Sequence, residues 1–188
     1  MIYWLTRFFF RIVFKLFFRL KVFGAENVPA AGPLIFAANH SSYADPPLIA
    51  SCVNRPVYFI AKKELFKIPL FCWLIKKLHA FSVDRVTVDF SALKNAIKIL
   101  NDGNALLIFP EGTRRKNIGV KKLKNGAAML SAVTSSLIVP VAILNTDRLF
   151  EFPRLIVKFG VPMKYDSSKD YGSLTNKIMS EVEKLKDE

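Results

Sequence analysis

Cysteine is scarce in this 188-residue chain, which contains only Cys52 and Cys72. Both lie in apolar stretches, and their spacing matches no metal-binding motif. This pattern argues against a cysteine-held metal site. It favours two buried free thiols in a protein of a reducing compartment.

The sequence also lacks a long hydrophobic run suited to crossing a bilayer. A spanning helix needs about 20 mostly apolar residues, and the uncharged stretch Asn125–Thr146 is interrupted by several hydroxyl residues and Pro140. It divides naturally into a helix followed by a strand. No secretory signal is evident either, because no small-residue cleavage site follows the apolar N-terminus. The sequence therefore predicts a protein that lies on a membrane and does not cross it.

Acidic residues are few relative to basic ones. The chain has 15 Asp and Glu against 28 Lys and Arg, which gives a net charge of +13. Such a charge favours a polyanionic partner, either nucleic acid or an anionic membrane. The hydrophobic fraction of 52% slightly exceeds the roughly 45–50% of soluble domains. We therefore expect one folded domain with a sizeable core, part of whose apolar surface faces lipid.

The N-terminal segment combines a basic stripe with a wide apolar face. Arg7, Arg11, Lys15 and Arg19 recur at intervals of four, a step that advances about 40° around an α-helix. The pattern predicts an amphipathic helix over residues 1–23 that anchors the protein in the headgroup region of a membrane, with its cations toward anionic lipid. A second interpretation is a helix that packs on the protein's own core and keeps its cations in water. A nucleic-acid-binding arm is disfavoured, because Phe and Ile would crowd the basic stripe.

The remainder of the chain alternates short apolar runs with helix-like segments. One helical face is shared by Phe90, Leu93, Ile97 and Leu100. Residues 170–186 have the pattern of a last amphipathic helix with alternating charges. Strands that alternate with helices predict an α/β domain with a mostly parallel central sheet flanked by helices. The predicted strands are Leu34–Ala38, Pro56–Ala61, Phe81–Val83, Ala105–Phe109, Leu137–Ile143 and Leu155–Phe159.

Three polar residues follow predicted strands directly. His40, Arg85 and Glu111 come just after the first, third and fourth strands. In open α/β sheets, ligands bind outside the carboxyl ends of the strands. We therefore expect the three side chains to gather on one rim of the sheet.

His40 and Asp45 form a candidate acid–base pair. Side chains five positions apart on a continuous helix point about 140° apart, so the two residues need a turn between them. Pro46 suits the first position of a helix, which predicts Asp45 as the N-cap and a loop that folds His40 back toward it. A carboxylate that holds an imidazole in one tautomer lets the other ring nitrogen take a proton from a hydroxyl. Alternatively, Asp45 only caps the helix and His40 is an incidental loop histidine.

Two other catalytic arrangements are disfavoured. Ser41 and Ser42 adjoin the histidine, but the chain has no Gly-x-Ser-x-Gly elbow. A serine directly after a histidine is also poorly placed to donate its proton to that ring. His79 could serve as a second base, but its apolar surroundings favour a structural histidine.

A basic segment follows Glu111. From Arg114 to Lys124 there are six basic residues and no acidic one. Arg binds phosphate with two parallel hydrogen bonds, so the segment fits a phosphate-bearing substrate, with Arg114 as the favoured ligand. Lys121 and Lys122 are better explained as solvated charges.

These motifs resemble those of the glycerolipid acyltransferase family, the glycerol-3-phosphate and 1-acylglycerol-3-phosphate acyltransferases. His40 and Asp45 match its His-x4-Asp motif, and residues 109–114 match its Phe-Pro-Glu-Gly-Thr-Arg motif in full. The resemblance runs from about residue 25 to residue 162. Further segments that resemble family motifs are residues 83–85, 123–126 and 138–141.

The resemblance implies transfer of a fatty acyl group from a coenzyme A or acyl carrier protein thioester to a glycerol hydroxyl, with no metal and no cofactor. It implies that His40 is the general base and that Asp45 orients it. The implied acceptor-site residues are Glu111, Gly112 and Thr113, and the implied phosphate ligands are Arg85 and Arg114, with Lys116 and Lys124 as secondary candidates.

Two positions depart from the family pattern. His79 stands where the family usually has Gly, so the local turn is expected to differ. Lys116 stands where Arg is usual, which keeps the charge but loses the planar fork.

We therefore expect an enzyme of phospholipid synthesis that acylates the sn-2 hydroxyl of 1-acylglycerol 3-phosphate (lysophosphatidate) to phosphatidate. Its expected partners are lysophosphatidate, acyl-coenzyme A or acyl carrier protein, and an anionic membrane surface, without nucleic acid. We expect a peripheral protein on the cytoplasmic face of the cell membrane, with residues 1–23 as the anchoring helix and 24–188 as the catalytic domain. The alternatives are the same chemistry on another lysophospholipid or on glycerol 3-phosphate, and a non-enzymatic basic protein that binds anionic membrane or nucleic acid.

Overall fold

The helices and strands of the computed structural model alternate along the chain. The described residues are 2–83, 89–113, 123–168 and 170–187, and for residues 70 and 71 the description covers the backbone alone. The helices are α1 (Ile2–Phe18), α2 (Asp45–Cys52), α3 (Pro69–Lys77), α4 (Phe90–Asn101), α5 (Gly126–Thr134) and α6 (Tyr171–Asp187). The strands are β1 (Lys21–Phe23), β2 (Leu34–Ala38), β3 (Val57–Lys62), β4 (Ala80–Val83), β5 (Ala105–Ile108), β6 (Leu137–Leu144) and β7 (Ile156–Phe159). Short 3₁₀ helices span Ala25–Asn27, Lys63–Lys67 and Thr146–Glu151.

The seven strands form one sheet in the order β1-β7-β6-β2-β5-β3-β4. Every neighbouring pair is parallel except β6 and β7, which are antiparallel. Strand β2 lies at the centre and all five of its residues are buried. The prediction of a mostly parallel sheet flanked by helices is confirmed, and the carboxyl ends of β2, β3, β5 and β6 meet at one edge of it.

Helices cover both faces of the sheet. Successive residues of a strand point to opposite faces, and the central strand follows this rule. Phe36 shares one core with Phe14 of α1 and Ile75 of α3. Ile35 shares the other core with Leu100 of α4. Helices α1, α2 and α3 therefore form one layer, and α4, α5 and α6 form the other.

The predicted strands and helices are largely present, with local differences. The predicted helix over residues 1–23 is too long, since α1 ends at Phe18 and residues 21–23 form β1, which pairs with the distant strand β7. Helix α4 has the predicted place, and Leu100 on it is fully buried, but Phe90 is 67% exposed. The buried residues of α4 are Ala92, Ala96, Ile99 and Leu100, so the buried face is turned away from Phe90, and of the predicted face only Leu100 is fully inside.

Helix α1 packs against α2 and places two of its cations toward the protein. Arg7 Nε donates to the carbonyls of Ala50 (3.2 Å) and Val53 (2.8 Å), and Arg11 Nη1 donates to the carbonyl of Ser51 at 3.5 Å. These carbonyls lie at the C-terminal end of α2, where carbonyls lack helical partners and the helix dipole is negative. The expectation that these cations face lipid or water is therefore wrong for both arginines.

The outward side of α1 is apolar. The exposed large side chains of this helix are Trp4, Leu5, Phe8, Phe9, Ile12, Leu16 and Phe17. None of the helices within the described residues is both long enough and apolar enough to cross a membrane. Large apolar side chains of α1 thus face outward as predicted, but Arg7 and Arg11 are used for packing on α2, while Lys15 stays exposed.

The two cysteines differ in burial. Cys52 is buried, as predicted, and burial raises the pKa of its thiol to about 12, so it stays protonated and inert. Cys72 is only partly buried. Both thiols are free.

Candidate active site

The loop between β2 and α2 brings His40 and Asp45 into contact. Nδ1 of His40 lies 2.8 Å from Oδ2 of Asp45. The Asp45 side chain is fully buried, whereas the His40 side chain is 12% exposed. Since an ionised carboxylate can only accept hydrogen bonds, Nδ1 is the donor in this contact, and in the neutral form of the ring the lone pair is on Nε2. The ring is therefore in the tautomer that can accept a proton from a substrate hydroxyl.

The same carboxylate oxygen organises the loop. Oδ2 of Asp45 also accepts from the backbone amides of Ser41 and Ser42, both at 2.8 Å. Three donors around one buried oxygen fix both the carboxylate and the chain that carries His40. Oδ1 of Asp45 is buried without a hydrogen-bond partner among the described residues.

Asp45 is not the N-cap of α2, contrary to the sequence prediction. The helix begins at Asp45 and the N-cap position is Ala44, which makes no side-chain cap hydrogen bond. The carboxylate of Asp45 bonds to the preceding loop instead of the first turn of the helix. It is held there because His40 and two loop amides all donate to it.

Glu111 lies beside the histidine at the end of the neighbouring strand. It is buried, and its Oε1 accepts from the backbone amide of His40 at 3.3 Å. This contact agrees with the prediction that His40 and Glu111 meet on one rim of the sheet. Residues Arg85, Arg114 and Lys116, which the sequence predicts as phosphate ligands, lie outside the described residues.

Gly112 and Lys124 meet at the turn that follows Glu111. Gly112 has φ of 71°, and its amide donates to the carbonyl of Phe109 at 2.9 Å. The amide of Lys124 donates to the carbonyl of Pro110 at 2.8 Å. A Cβ at Gly112 would lie 2.9 Å from Cε of Lys124. Glycine thus suits both the left-handed backbone and the close approach of the lysine side chain. The next residue, Thr113, is exposed.

His79 lies at the amino ends of the parallel strands, whereas His40 lies at their carboxyl ends. It directly precedes β4, and its ring is stacked between those of Tyr3 (4.5 Å between centroids) and Tyr58 (4.6 Å). Burial lowers the pKa of His79. This placement agrees with a structural histidine. His79 has φ of 64°, in the left-handed region that glycine adopts most readily.

Two supporting residues were not identified from the sequence. Phe109 stacks on His40 with centroids 3.9 Å apart. Asn39 exchanges two hydrogen bonds of 2.8 Å with the backbone of Ile143 and so ties the start of the loop to β6. Phe109 belongs to the motif at residues 109–114 and Asn39 directly precedes His40, but their contacts join different strands.

Ser41 and Ser42 support the loop in the described contacts. Their amides donate to Asp45, and Oγ of Ser42 accepts from the amide of Ala44 at 3.3 Å. Among the described residues, no group of three or more His, Cys, Asp and Glu side chains is placed to hold a metal ion.

Comparison with known proteins links this site to a family. A family model described as Acyltransferase matches residues 19–144. The 1-acyl-sn-glycerol-3-phosphate acyltransferase of Bacillus subtilis is 31% identical over 157 residues, which cover 81% of this chain and 78% of that protein. The protein of the same name from Borreliella burgdorferi is 29% identical over 134 residues, 70% of this chain and 54% of that protein.

A solved structure shares the fold. The crystal structure of the 1-acyl-sn-glycerophosphate (LPA) acyltransferase PlsC from Thermotoga maritima superposes with a TM-score of 0.78 at 31% identity, and the match covers 96% of this chain and 78% of that one. The segment matched by the family model contains the His40–Asp45 pair, Glu111 and Lys124. The chain therefore belongs to the acyltransferase family.

Proposed function

We propose that the protein transfers a fatty acyl group from acyl-coenzyme A or acyl carrier protein to the sn-2 hydroxyl of 1-acylglycerol 3-phosphate, which gives phosphatidate. The observation that carries this proposal is the 2.8 Å contact between Nδ1 of His40 and the buried carboxylate of Asp45. The relatives named above support the choice of acceptor.

His40 acts as the general base in the proposed mechanism. Its Nε2 removes the proton of the acceptor hydroxyl while that oxygen attacks the thioester carbonyl. The Asp45 carboxylate stabilises the imidazolium that forms. When the tetrahedral intermediate collapses, the C–S bond breaks and the imidazolium proton goes to the leaving thiolate. The thioester is already electrophilic, so this mechanism requires no metal, cofactor or covalent enzyme intermediate.

The acceptor is held by groups that follow β5. We propose that Glu111, Gly112 and Thr113 line the acceptor site, and that Lys124, whose side chain lies against Gly112, contributes to binding of the phosphate. Arg85, Arg114 and Lys116 are proposed as further phosphate ligands on the basis of the sequence alone.

The protein is proposed to work as a peripheral protein on the cytoplasmic face of the cell membrane. The support is the apolar outward side of α1 together with the net charge of +13. Such attachment would bring the site to an acceptor that stays in the bilayer. The division into an anchoring segment (1–23) and a catalytic domain (24–188) remains a prediction, since α1 shares a core with the rest of the chain.

Thiol release tests this function. The assay uses acyl-coenzyme A and acyl carrier protein as donors, with lysophosphatidate, lysophosphatidylcholine, glycerol 3-phosphate or no acceptor. We expect release that depends on lysophosphatidate, and a drop of about 10²–10⁴ in kcat for His40→Ala. Asp45→Asn, which keeps the shape but removes the charge, should also lower kcat. Near-full turnover in His40→Ala would contradict the mechanism, and preference for another acceptor would contradict the proposed substrate.

A further inference from the structure

The connection between β6 and β7, residues 145–154, exposes aromatic side chains. We call this segment the β6–β7 loop. Phe150 is 100% exposed and Phe152 is 55% exposed. Leu149, by contrast, packs against the core beneath α1. A phenylalanine left wholly in water gains nothing from the hydrophobic effect, so Phe150 does not contribute to the folded core.

Contacts at both ends of the β6–β7 loop fix its shape. Asn145 (φ 70°) and Phe152 (φ 48°) occupy the left-handed region, which costs free energy in residues other than glycine. Nδ2 of Asn145 donates to the carbonyl of Arg154 at 2.8 Å, and Nη2 of Arg19 donates to the carbonyl of Phe152 at 3.0 Å. The Phe152 ring stacks on Phe18 of α1 with centroids 5.6 Å apart. The loop that carries the exposed aromatic side chains therefore has a fixed conformation.

The β6–β7 loop leaves the sheet at the rim that carries His40. Strand β6 runs parallel to β2, and Val141 is paired with Ala38. Asn39, next to His40, is hydrogen-bonded in both directions to Ile143 near the end of β6. The carboxyl ends of the two strands therefore coincide, and the loop lies at the same edge of the sheet as the candidate base.

The apolar side of α1 ends beside this loop. Leu16 and Phe17 in its last turn are exposed, and the carbonyl of Phe18 accepts from the amide of Leu155 at 3.0 Å. Exposed cations outnumber exposed acids over the end of α1, β1 and the β6–β7 loop taken together. The exposed cations are Lys15, Arg19, Lys21, Arg148 and Arg154, and the exposed acids in the β6–β7 loop are Asp147 and Glu151.

We propose that the β6–β7 loop is a second membrane-inserting element, with Phe150 entering the interface of an anionic bilayer beside α1. The exposed charges of the loop itself balance, and the excess of cations comes from Lys15, Arg19 and Lys21 beside it. An exposed apolar side chain next to these cations matches an apolar interior beneath phosphate headgroups. A second copy of this chain is a poorer match, because it would bring two cationic surfaces into contact.

Two points of insertion orient the protein in a way that one helix cannot. A helix in the interface attaches the protein along one line, whereas a second contact at the rim holds the edge with His40 close to the lipid. The inference rests on the proposed function, because the benefit of this orientation is that a lipid acceptor reaches the site from the bilayer. Its test does not depend on turnover.

Single-tryptophan variants of the full chain test the proposal, because the chain has only Trp4 and Trp73. One variant, Trp73→Phe, keeps Trp4 as a reporter on α1. A second adds Phe150→Trp to Trp4→Phe and Trp73→Phe. The matched control adds Val161→Trp to the same pair, at an exposed position (72%) just past the far end of β7. The probe is vesicles of phosphatidylglycerol with phosphatidylcholine brominated on its acyl chains, and each variant is first checked for native thermal unfolding.

We expect bromine quenching of the Trp4 reporter and of the Phe150→Trp reporter, but not of the Val161→Trp reporter. In a native background, Phe150→Ser should weaken vesicle binding about tenfold, while Val161→Ser leaves it unchanged. Quenching at Trp4 without quenching in the Phe150→Trp variant overturns the inference and leaves α1 as the anchor. Equal quenching of all three reporters also overturns it. Quenching of none rejects membrane association altogether, while thiol release separately decides whether acyl transfer stands.

Discussion

The ring of Phe109 lies parallel to the imidazole of His40, with centroids 3.9 Å apart and planes inclined by 14°. The two residues follow β5 and β2, which are neighbours in the sheet with Ala37 paired to Ile108. The imidazole is thus held at one edge by Asp45 and across one face by Phe109. Two rigid strand ends position the candidate base.

Replacement of Phe109 should therefore affect the chemical step more than acceptor binding. For Phe109→Leu we expect kcat to fall about 10- to 100-fold, because a small displacement of a catalytic group has large effects, with little change in KM for lysophosphatidate. Phe109→Tyr, which keeps the ring, should retain most activity. Steady-state thiol release measures both constants. An unchanged kcat in Phe109→Leu would show that Asp45 alone positions the ring.

His79 gives a pH dependence of stability that can be isolated by substitution. Burial between Tyr3 and Tyr58 lowers its pKa in the folded state below the ordinary 6.5. As pH falls below 6.5, the unfolded chain takes up a proton that the folded chain resists, so this histidine makes the protein less stable toward acid. We expect the melting temperature of the wild type to fall more between pH 7.5 and 5.5 than that of His79→Asn.

Asparagine is the suitable replacement because it tolerates the left-handed backbone of His79, whose φ is 64°. At pH 7.5 the variant should be less stable than the wild type, since it loses two ring stacks. Parallel pH dependences of the two melting temperatures would contradict the assigned direction of the pKa shift.

The features that could be predicted from the sequence are those encoded in adjacent residues. Strand β2 is a continuous apolar run, and the loop that pairs His40 with Asp45 is only four residues long. The contacts of Arg7 with α2 could not be predicted, since they depend on how α1 lies against a helix some 40 residues later. The same is true of Phe109, whose contact with His40 depends on the order of β2 and β5.

Arg55 offers a stability prediction away from the candidate site. It is buried, and its guanidinium donates to the carbonyls of Pro29 (2.8 Å), Gly32 (2.6 Å) and Gly103 (2.9 Å). These carbonyls precede β2 and β5, at the edge of the sheet opposite His40. Arg55→Met should lower the free energy of unfolding by about 3 kcal/mol, because it leaves these carbonyls without their donor.

Urea unfolding measures this loss, and Arg55→Lys is the matched control that keeps the charge without the planar fork. Well below the unfolding midpoint, kcat should match the wild type in both variants. A large drop in kcat without a loss of stability would contradict a purely structural role.

Gly112 and Lys124 permit a test of whether the lysine contributes to acceptor binding. A Cβ at Gly112 would lie 2.9 Å from Cε of Lys124, which is too close unless the lysine moves. Lys124→Ala should raise the KM for lysophosphatidate about fivefold, the effect of one exposed charge contact, with little change in kcat. Gly112→Ala should raise it as well, because the methyl group displaces the lysine and φ of 71° is strained for alanine.

The double variant separates these two effects. In Gly112→Ala/Lys124→Ala the methyl group meets no lysine side chain, so the combined rise in KM should be smaller than the product of the single effects. A monoacylglycerol acceptor, which lacks the phosphate, should be insensitive to Lys124→Ala and serves as the control. If the single effects multiply, the two residues act independently, and Gly112 is required only for its backbone conformation. If the KM for lysophosphatidate is unchanged in Lys124→Ala, the phosphate is bound elsewhere, and Lys124 is removed from the proposed acceptor site.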